Sequence, residues 1–512
     1  MATRTCRPSR ARSAATGTSP MGRCERARRS AGAALPLVAA LLAPAFGMTG
    51  CAAEPTAGTL AVDGIARWLR RCEQETAAGS GWRAIESADA ASGAADRAPT
   101  PDRSLPAESP PPETPGDLYS GTPGVALFFA EYAARGGDAA VRPSGGSTLD
   151  GALRELAAHV RAAELADREV AIDCGLYTGL AGIGATALEV ARLLGRDDAL
   201  ELARRCRREL QRRAQVVGHG VEWSATTDVI GGGAGIGLWL LGFHEATGDR
   251  GALELAARAG RRLEQLAVRE PVGRSWRMEP DFPRVMPNFS HGTAGIAFFL
   301  ARLAEASGEA RFLDAARDGA DHLLALADRS GGGFRVHHHV PGGEELHYLG
   351  WCHGPPGTAR LFAQLAWQTG DARYGEAARA ATRTLLDAGL PTPAPGFWNN
   401  VGQCCGSAGV IEHLLDVAAR GDDDALAEEC LALAQRLGAD LLAHGTWSGD
   451  QLSFVHAQYR LRPEEVAAYH GYMQGAAGIG LALLHLEAAR AAGRPRGPDR
   501  RAVRLPDALP WR

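Results

Sequence analysis

Seven times along this chain of 512 residues, a G-x-x-G step opens an apolar, helix-forming run. The segments are SGTPGVALFFA, TGLAGIGATALEV, GGGAGIGLWLL, SHGTAGIAFFLARL, CHGPPGTARLFAQL, CCGSAGVIEHLL and QGAAGIGLALLHL, with first glycines at 121, 179, 232, 292, 354, 406 and 475. The gaps are 58, 53, 60, 62, 52 and 69 residues, a period of about 59. One G-x-x-G means little, whereas seven at even spacing define a repeat architecture. Between them lie amphipathic stretches such as DALELARRCRRELQRRA (198–214) and GALELAARAGRRLEQLA (251–267), whose apolar residues recur at three- and four-residue steps. That is the pattern of a helix covered on one side. The runs after G-x-x-G are apolar nearly all round and belong to an inner layer, so each repeat reads as outer helix, loop and inner helix.

Stacked in a line, seven hairpins would expose both ends, and no repeat carries a polar capping face. Closing them into a ring removes the ends. The expected fold is therefore an all-α, α/α toroid of seven helical hairpins, with the glycine loops at the amino ends of the inner helices, all at one mouth. Glycine accounts for 64 of the 512 residues, well above the usual share of about 7%. At the mouth it is expected to supply positive φ and to let backbones approach closely. Seven helix amino ends around one cavity favour negative charge there, whether thiolate or enolate.

The flanks differ from this unit. Residues 1–51 join a basic segment (Arg23, Arg26, Arg28, Arg29) to the apolar run from Ala33 to Phe46 and then Met48-Thr49-Gly50-Cys51. This reads as a bacterial lipoprotein-type leader that would anchor an exported protein to the cell envelope through Cys51, or else as a start placed too far upstream. The toroid is assigned to residues 52–492, with a Pro/Ala/Ser-rich disordered insertion at about 87–116. Residues 493–512 read as a peripheral Arg/Pro-rich tail.

All 55 basic residues are arginine, against 59 acidic ones, for a net charge of −4. Without lysine there is no Schiff-base nucleophile and no P-loop phosphate lysine. The balance also argues against nucleic acid as a partner.

Four of the seven loops carry reactive side chains beside the G-x-x-G: Asp228 in TTDVIGGGAG, His291 in NFSHGTAG, Cys352 and His353 in GWCHGPPG, and Cys404 with Cys405 in GQCCGSAG. A ring brings equivalent positions of neighbouring repeats to one cavity, which would gather an acid, imidazoles and three thiols. Three thiolates are a natural set for zinc with a fourth position left open. Plainer readings stand beside this one: a vicinal disulfide at 404–405, buried thiols acting as small apolar groups, a helix cap at Asp228 and a turn-capping His291. The run His337-His338-His339 reads as a hairpin or surface loop away from the glycine loops. Cys72, Cys174, Cys206 and Cys430 are assigned to the background.

Taken together, the seven glycine repeats with SHGTAGI, GWCHGPPG and CCGSAG resemble the lanthionine synthetase C-like family of zinc-dependent lanthionine cyclases, over about residues 60 to 490. The resemblance implies an α/α toroid whose Zn2+ holds a cysteine thiol of a dehydrated precursor peptide while it adds to dehydroalanine or dehydrobutyrine, closing a thioether ring. It implies Cys352, Cys404 and Cys405 as metal ligands, the last in place of the more usual histidine. It implies His291 as general acid/base, Asp228 as its assistant and His353 as a second proton donor. Tyr348 stands where many members have an arginine, which leaves enolate stabilisation unassigned. The chain has no room for a dehydratase, so the resemblance also implies a separate dehydratase or kinase/lyase partner and, as is usual for the family, a cytoplasmic setting. Alternatives are addition of a small thiol such as glutathione to dehydroamino acids, and a non-catalytic peptide-binding protein on the same ring. A carbohydrate-active toroid needs a carboxylate pair, and the loops offer only Asp228.

Overall fold

The computed structural model describes residues 56–82, 85–86, 116–137, 147–421, 423–457, 459–493, 497 and 499–510. The leader with Cys51 and the insertion up to residue 115 lie outside the described residues. No described helix is long and apolar enough to cross a membrane.

Fourteen α-helices alternate between two layers among the described residues. The outer layer holds α1 (Ala57–Arg71), α3 (Thr148–Leu165), α5 (Asp197–Arg213), α7 (Arg250–Leu266), α9 (Ala310–Leu326), α11 (Ala372–Asp387) and α13 (Asp424–Ala443). The inner layer holds α2 (Thr122–Ala134), α4 (Leu180–Leu194), α6 (Gly233–Thr247), α8 (Thr293–Ser307), α10 (Pro355–Thr369), α12 (Ser407–Arg420) and α14 (Ala476–Ala492). Each inner helix packs on the next, and α14 packs back on α2, so the α/α toroid is closed. The first helix, α1, is the outer partner of the last inner one, α14.

The layers follow from side-chain spacing. In α7 the buried residues include Ala252, Leu255, Ala256, Ala259 and Leu263, one stripe at steps of three and four. In α8 the buried residues run without a break from Thr293 to Ala304, because both faces are covered. Tight turns join inner helices to the outer helices that follow them, as where Gly248 and Gly370 end α6 and α10 in the left-handed conformation and Asp249 and Asp371 then cap α7 and α11. After the outer helices α1, α5, α7 and α13 the chain forms a short two-stranded hairpin. Trp82, Trp223 and Trp276 close three of these by donating to the carbonyls of Leu69, Leu210 and Leu263.

The mouth glycines work differently from expectation. Six of the seven first glycines have negative φ, and only Gly475, at φ 137°, is left-handed. What they require is close approach. A Cβ on the second glycine of the step would collide with the carbonyl oxygen of the preceding loop, as at Gly182 with Leu176, Gly295 with Phe289 and Gly357 with Trp351. Four left-handed glycines, Gly195, Gly248, Gly308 and Gly370, instead end inner helices at the opposite side of the ring.

The mouth loops form a ring of their own. Residues 119, 177, 229–230, 290, 352, 404 and 473 join head to tail through backbone hydrogen bonds: Tyr119 N–H to Tyr177 O at 3.0 Å, Tyr177 to Ile230 at 2.9, Val229 to Ser290 at 3.1, Ser290 to Cys352 at 2.9, Cys352 to Cys404 at 3.1, Cys404 to Met473 at 3.2 and Met473 to Tyr119 at 2.8. The seven bonds form a complete circle.

The far mouth is filled by the C-terminal segment, contrary to the expected peripheral tail. Ala502, Val503, Leu505 and Asp507 are buried. Arg192 and Arg420 hold the segment by donating to the carbonyls of Arg500 and Ala502 and of Leu509 and Pro510. Its arginine- and proline-rich composition conceals these apolar contacts.

Ring closure also has an ionic clamp. His485 of α14 bonds Glu131 of α2 through Nε2 at 2.9 Å and Glu412 of α12 through Nδ1 at 2.7 Å. Burial alone would lower its pKa, but the two carboxylates raise it from 6.5 to about 10. Glu131, pushed up by burial, is pulled below the usual range by His485. The folded imidazolium is thus favoured over the unfolded one, so its stabilisation is fully present below about pH 6.5 and is lost as pH rises through about 10. We expect the unfolding free energy in urea to decline between those limits and His485→Gln to flatten that decline; an unchanged pH profile in the variant would refute the clamp.

Candidate functional site

The backbone circle sets the register of the reactive groups. Tyr119, Cys352 and Cys404 each stand two residues before the first glycine of their loop, and His291, His353 and Cys405 stand one residue before it. Gly350 lets the fifth loop lie against the sixth, since a Cβ there would collide with the backbone of Cys405. The Cys352 and Cys405 sulfurs are 3.2 Å apart, and those of Cys405 and Cys404 are 3.5 Å apart.

All three cysteines are buried and free. Their separations exceed the S–S bond of about 2.05 Å, which removes the vicinal disulfide. The three sulfurs lie within 4.8 Å of one another and form the one group of three or more metal-ligating side chains among the described residues. Hydrogen bonds from Cys352 and Cys405, with a third from the Tyr119 hydroxyl at 3.0 Å, hold the Cys404 thiol well below its usual range. Burial pushes Cys352 well up, and its bond to Cys405 does the same to Cys405. The cluster is a buried thiol set with one member, Cys404, held toward the thiolate, and it can hold a metal ion.

His291 lies beside it, with 30% of its side chain exposed and Nδ1 2.6 Å from Oδ2 of Asp228. Asp228 is buried, and its other oxygen accepts from the amides of Gly231 at 2.9 Å and Gly232 at 3.0 Å. It therefore braces the turn that leads into α6, whose N-cap Gly232 has no side-chain cap, and partners a histidine at once. Asp117 braces the equivalent turn in the first loop, accepting from Ser120 and Gly121. His353 is buried, with ring centroid 5.7 Å from that of His291, and its Nδ1 has no partner. Burial, then the neighbouring His338, His291 and His339, depress its pKa well below 6.5, so the ring is neutral.

The histidine run is not a surface loop. His338 and His339 are buried; His338 stacks on His353 at 4.0 Å and meets Tyr348 at 4.6 Å. The connection from α9 to α10 folds back over the mouth, pinned by Asn288 donating to the His338 carbonyl at 2.8 Å and by pairing of Val285 with Val340.

Arg460, from the connection between α13 and α14, also reaches this region. It is 7% exposed, its Nε donates to the Tyr348 hydroxyl at 3.2 Å, and its Nη2 has no partner. Burial keeps the Tyr348 hydroxyl protonated by raising its pKa. Sequence spacing gave no sign of Arg460, whereas Tyr119 shares the register of Cys352 and Cys404 and was open to detection on that ground.

Residues 112–493 match the profile of the family described as lanthionine synthetase C-like protein. The chain belongs to the lanthionine synthetase C-like family. Among solved structures, nisin cyclase is similar, with 16% identity and a TM-score of 0.51 over 74% of this chain and 90% of that one. That likeness shows the shared toroid fold. The GH76A α-1,6-mannanase from Salegentibacter sp. HEL1_6 overlaps at 15% identity and TM-score 0.43, over 60% of this chain and 88% of that one. An unsaturated glucuronyl hydrolase specific for heparin overlaps at 12% identity and TM-score 0.43, over 73% and 97%. No curated protein matches the sequence significantly.

Proposed function

We propose that this family member is a stand-alone zinc-dependent cyclase that adds cysteine thiols of a dehydrated peptide to dehydroalanine or dehydrobutyrine, forming lanthionine or methyllanthionine. The observation that supports this most directly is the buried trio of free thiols next to the Asp228–His291 pair. Cys352, Cys404 and Cys405 would hold Zn2+, which when bound supplies Lewis-acid activation of a substrate thiol near neutral pH. The donor set fits, since the three sulfurs converge and Tyr119 adds an outer hydrogen bond to Cys404.

In this reading Asp228 fixes the tautomer and orientation of His291 by engaging Nδ1, so Nε2 exchanges protons with substrate. His291 takes the thiol proton, the sulfur bonds the β-carbon of the dehydroamino acid, and the resulting enolate is protonated at the α-carbon. Atoms balance without oxidant or cosubstrate. His353 offers the second hydrogen-bonding imidazole. Arg460 takes the part left open by Tyr348, a buried guanidinium beside the site that offsets negative charge on the enolate. The dehydrated peptide would come from a separate enzyme, and the leader with Cys51 would place the protein at the envelope if it is retained.

Three outcomes follow from this assignment. Cys352→Ala should lower zinc from about one ion per chain to a trace and cut cyclisation of a dehydrated peptide by about 10²-fold or more; a metal-free, fully active protein sinks the reading. Asp228→Asn, which keeps an oxygen for the Gly231 and Gly232 amides, should reduce kcat by about 10- to 100-fold while zinc content stays constant; equal kcat would remove the pair from the mechanism. Arg460→Gln should lower kcat by about 10²-fold with zinc retained, and a change confined to KM would assign Arg460 to peptide binding instead.

A further inference from the structure

The inner helices enclose a cavity of about 770 Å³ bounded at one end by Tyr177, Trp351 and Tyr472 and at the other by the C-terminal segment. Asp507 of that segment is 2% exposed. The Tyr177 hydroxyl donates to its Oδ1 at 2.9 Å. Arg360 of α10 donates through Nη1 to its main-chain carbonyl at 2.9 Å and also to its Oδ2.

Arg360 in turn touches the underside of the site. Its guanidinium lies 5.4 Å from the ring centre of Phe289 and 5.9 Å from that of Trp351. Those rings meet edge to face at 5.5 Å, and Tyr177 meets Trp351 edge to face at 5.4 Å. Trp351 immediately precedes Cys352, and Phe289 stands two residues before His291. Tyr177 is itself a member of the backbone circle, donating to Ile230 and accepting from Tyr119. A carboxylate deep in the lumen thus faces one cation and one hydroxyl, and both rest on the rings that carry the fourth and fifth mouth loops. Removing its charge leaves Arg360, whose side chain is only 20% exposed, without its ion-pair partner against the aromatic rings; a largely buried, uncompensated cation is costly, and the arginine must move off the rings or draw in water.

We propose that Asp507 is a positioning residue: through Arg360 and Tyr177 the C-terminal segment holds Trp351 and Phe289, and so keeps Cys352 and His291 in register. The segment is then a part of the site's floor supplied from the far mouth. For its catalytic meaning this rests on the cyclase reading, but its geometry is testable without metal or turnover.

The test uses the metal-free full-length chain and per-site mass spectrometry of iodoacetamide alkylation. Cys430 is fully buried on outer helix α13 and reports general loosening. In Asp507→Asn, Cys352 should be alkylated on the order of tenfold faster than in the parent protein, as expected when a buried charged partner is lost, while Cys430 is unchanged. Tyr177→Phe, which deletes one hydroxyl and keeps the ring, should give a smaller change of the same kind and serves if Asp507→Asn does not fold. Asp507→Glu should restore part of the protection. Equal acceleration of Cys352 and Cys430, or no acceleration of either, overturns the proposal. If the chain proves inactive as a cyclase while Cys352 alone responds, the cyclase reading fails and the positioning role stands.

Discussion

The circle of seven backbone hydrogen bonds at the mouth is the constraint on which the site depends. Each loop gives an amide to one neighbour and a carbonyl to the other, with Ile230 and Val229 sharing the duty in the third loop. Such bonds are indifferent to side-chain identity. Their donors and acceptors are peptide groups that would otherwise be buried without partners, so the circle is held by the cost of leaving any one of them open. Because the second glycine of six loops presses on a carbonyl of its own preceding segment, and Gly124 of the first presses on the backbone of Gly471 and Tyr472, the loops cannot drift along the helix axis. A fixed backbone with free choice of side chain lets one repeat present a tyrosine and the next a cysteine at the same place in space.

Most of the fold was legible because it is written seven times. The glycine step, the apolar inner runs and the one-sided outer helices gave the layers, their number and ring closure, and the shared register gave the gathering of Asp228, His291, His353 and the three cysteines. The sequence misled where one residue type serves two uses. Mouth glycines are expected at positive φ, but there they serve close approach, and the left-handed conformation serves instead at the far ends of inner helices, as at Gly248 and Gly370. The unread parts are those that occur once. His338, Arg460 and Asp507 lie on unrepeated connections, and no period relates them to the loops they touch. Composition pointed the wrong way for the tail, because four apolar or paired residues among arginines and prolines were enough to fill the far mouth.

The comparison between the first and third loops shows how chemistry is added to this frame. Asp117 and Asp228 each stand four residues before the first glycine and brace the same turn ahead of the inner helix. That turn therefore explains the aspartate without any function. What differs is the next loop: Thr178 precedes the glycine after Asp117, whereas His291 precedes the glycine after Asp228 and lies 2.6 Å from it. A carboxylate already held by two amides loses little freedom on accepting a third bond, and it orients the imidazole at small entropic cost.

Charge accounts for the side chains that come from outside the repeat. The Cys404 thiol, held toward the thiolate, and the amino ends of the inner helices favour negative charge at the mouth, and the proposed thiol addition would create more as its enolate forms. The positions that face this charge within the repeat are taken by cysteine, histidine and tyrosine. A cation placed there would compete for the thiolates directly, as a buried ion pair. Holding Arg460 one step back, against the Tyr348 hydroxyl and on a connection that is free of the repeat, lets its field act on the site while a neutral phenol separates it from the sulfurs. On this argument the tyrosine and the distant arginine are one device, and replacing Tyr348 alone should matter mainly through what it does to the placement of Arg460.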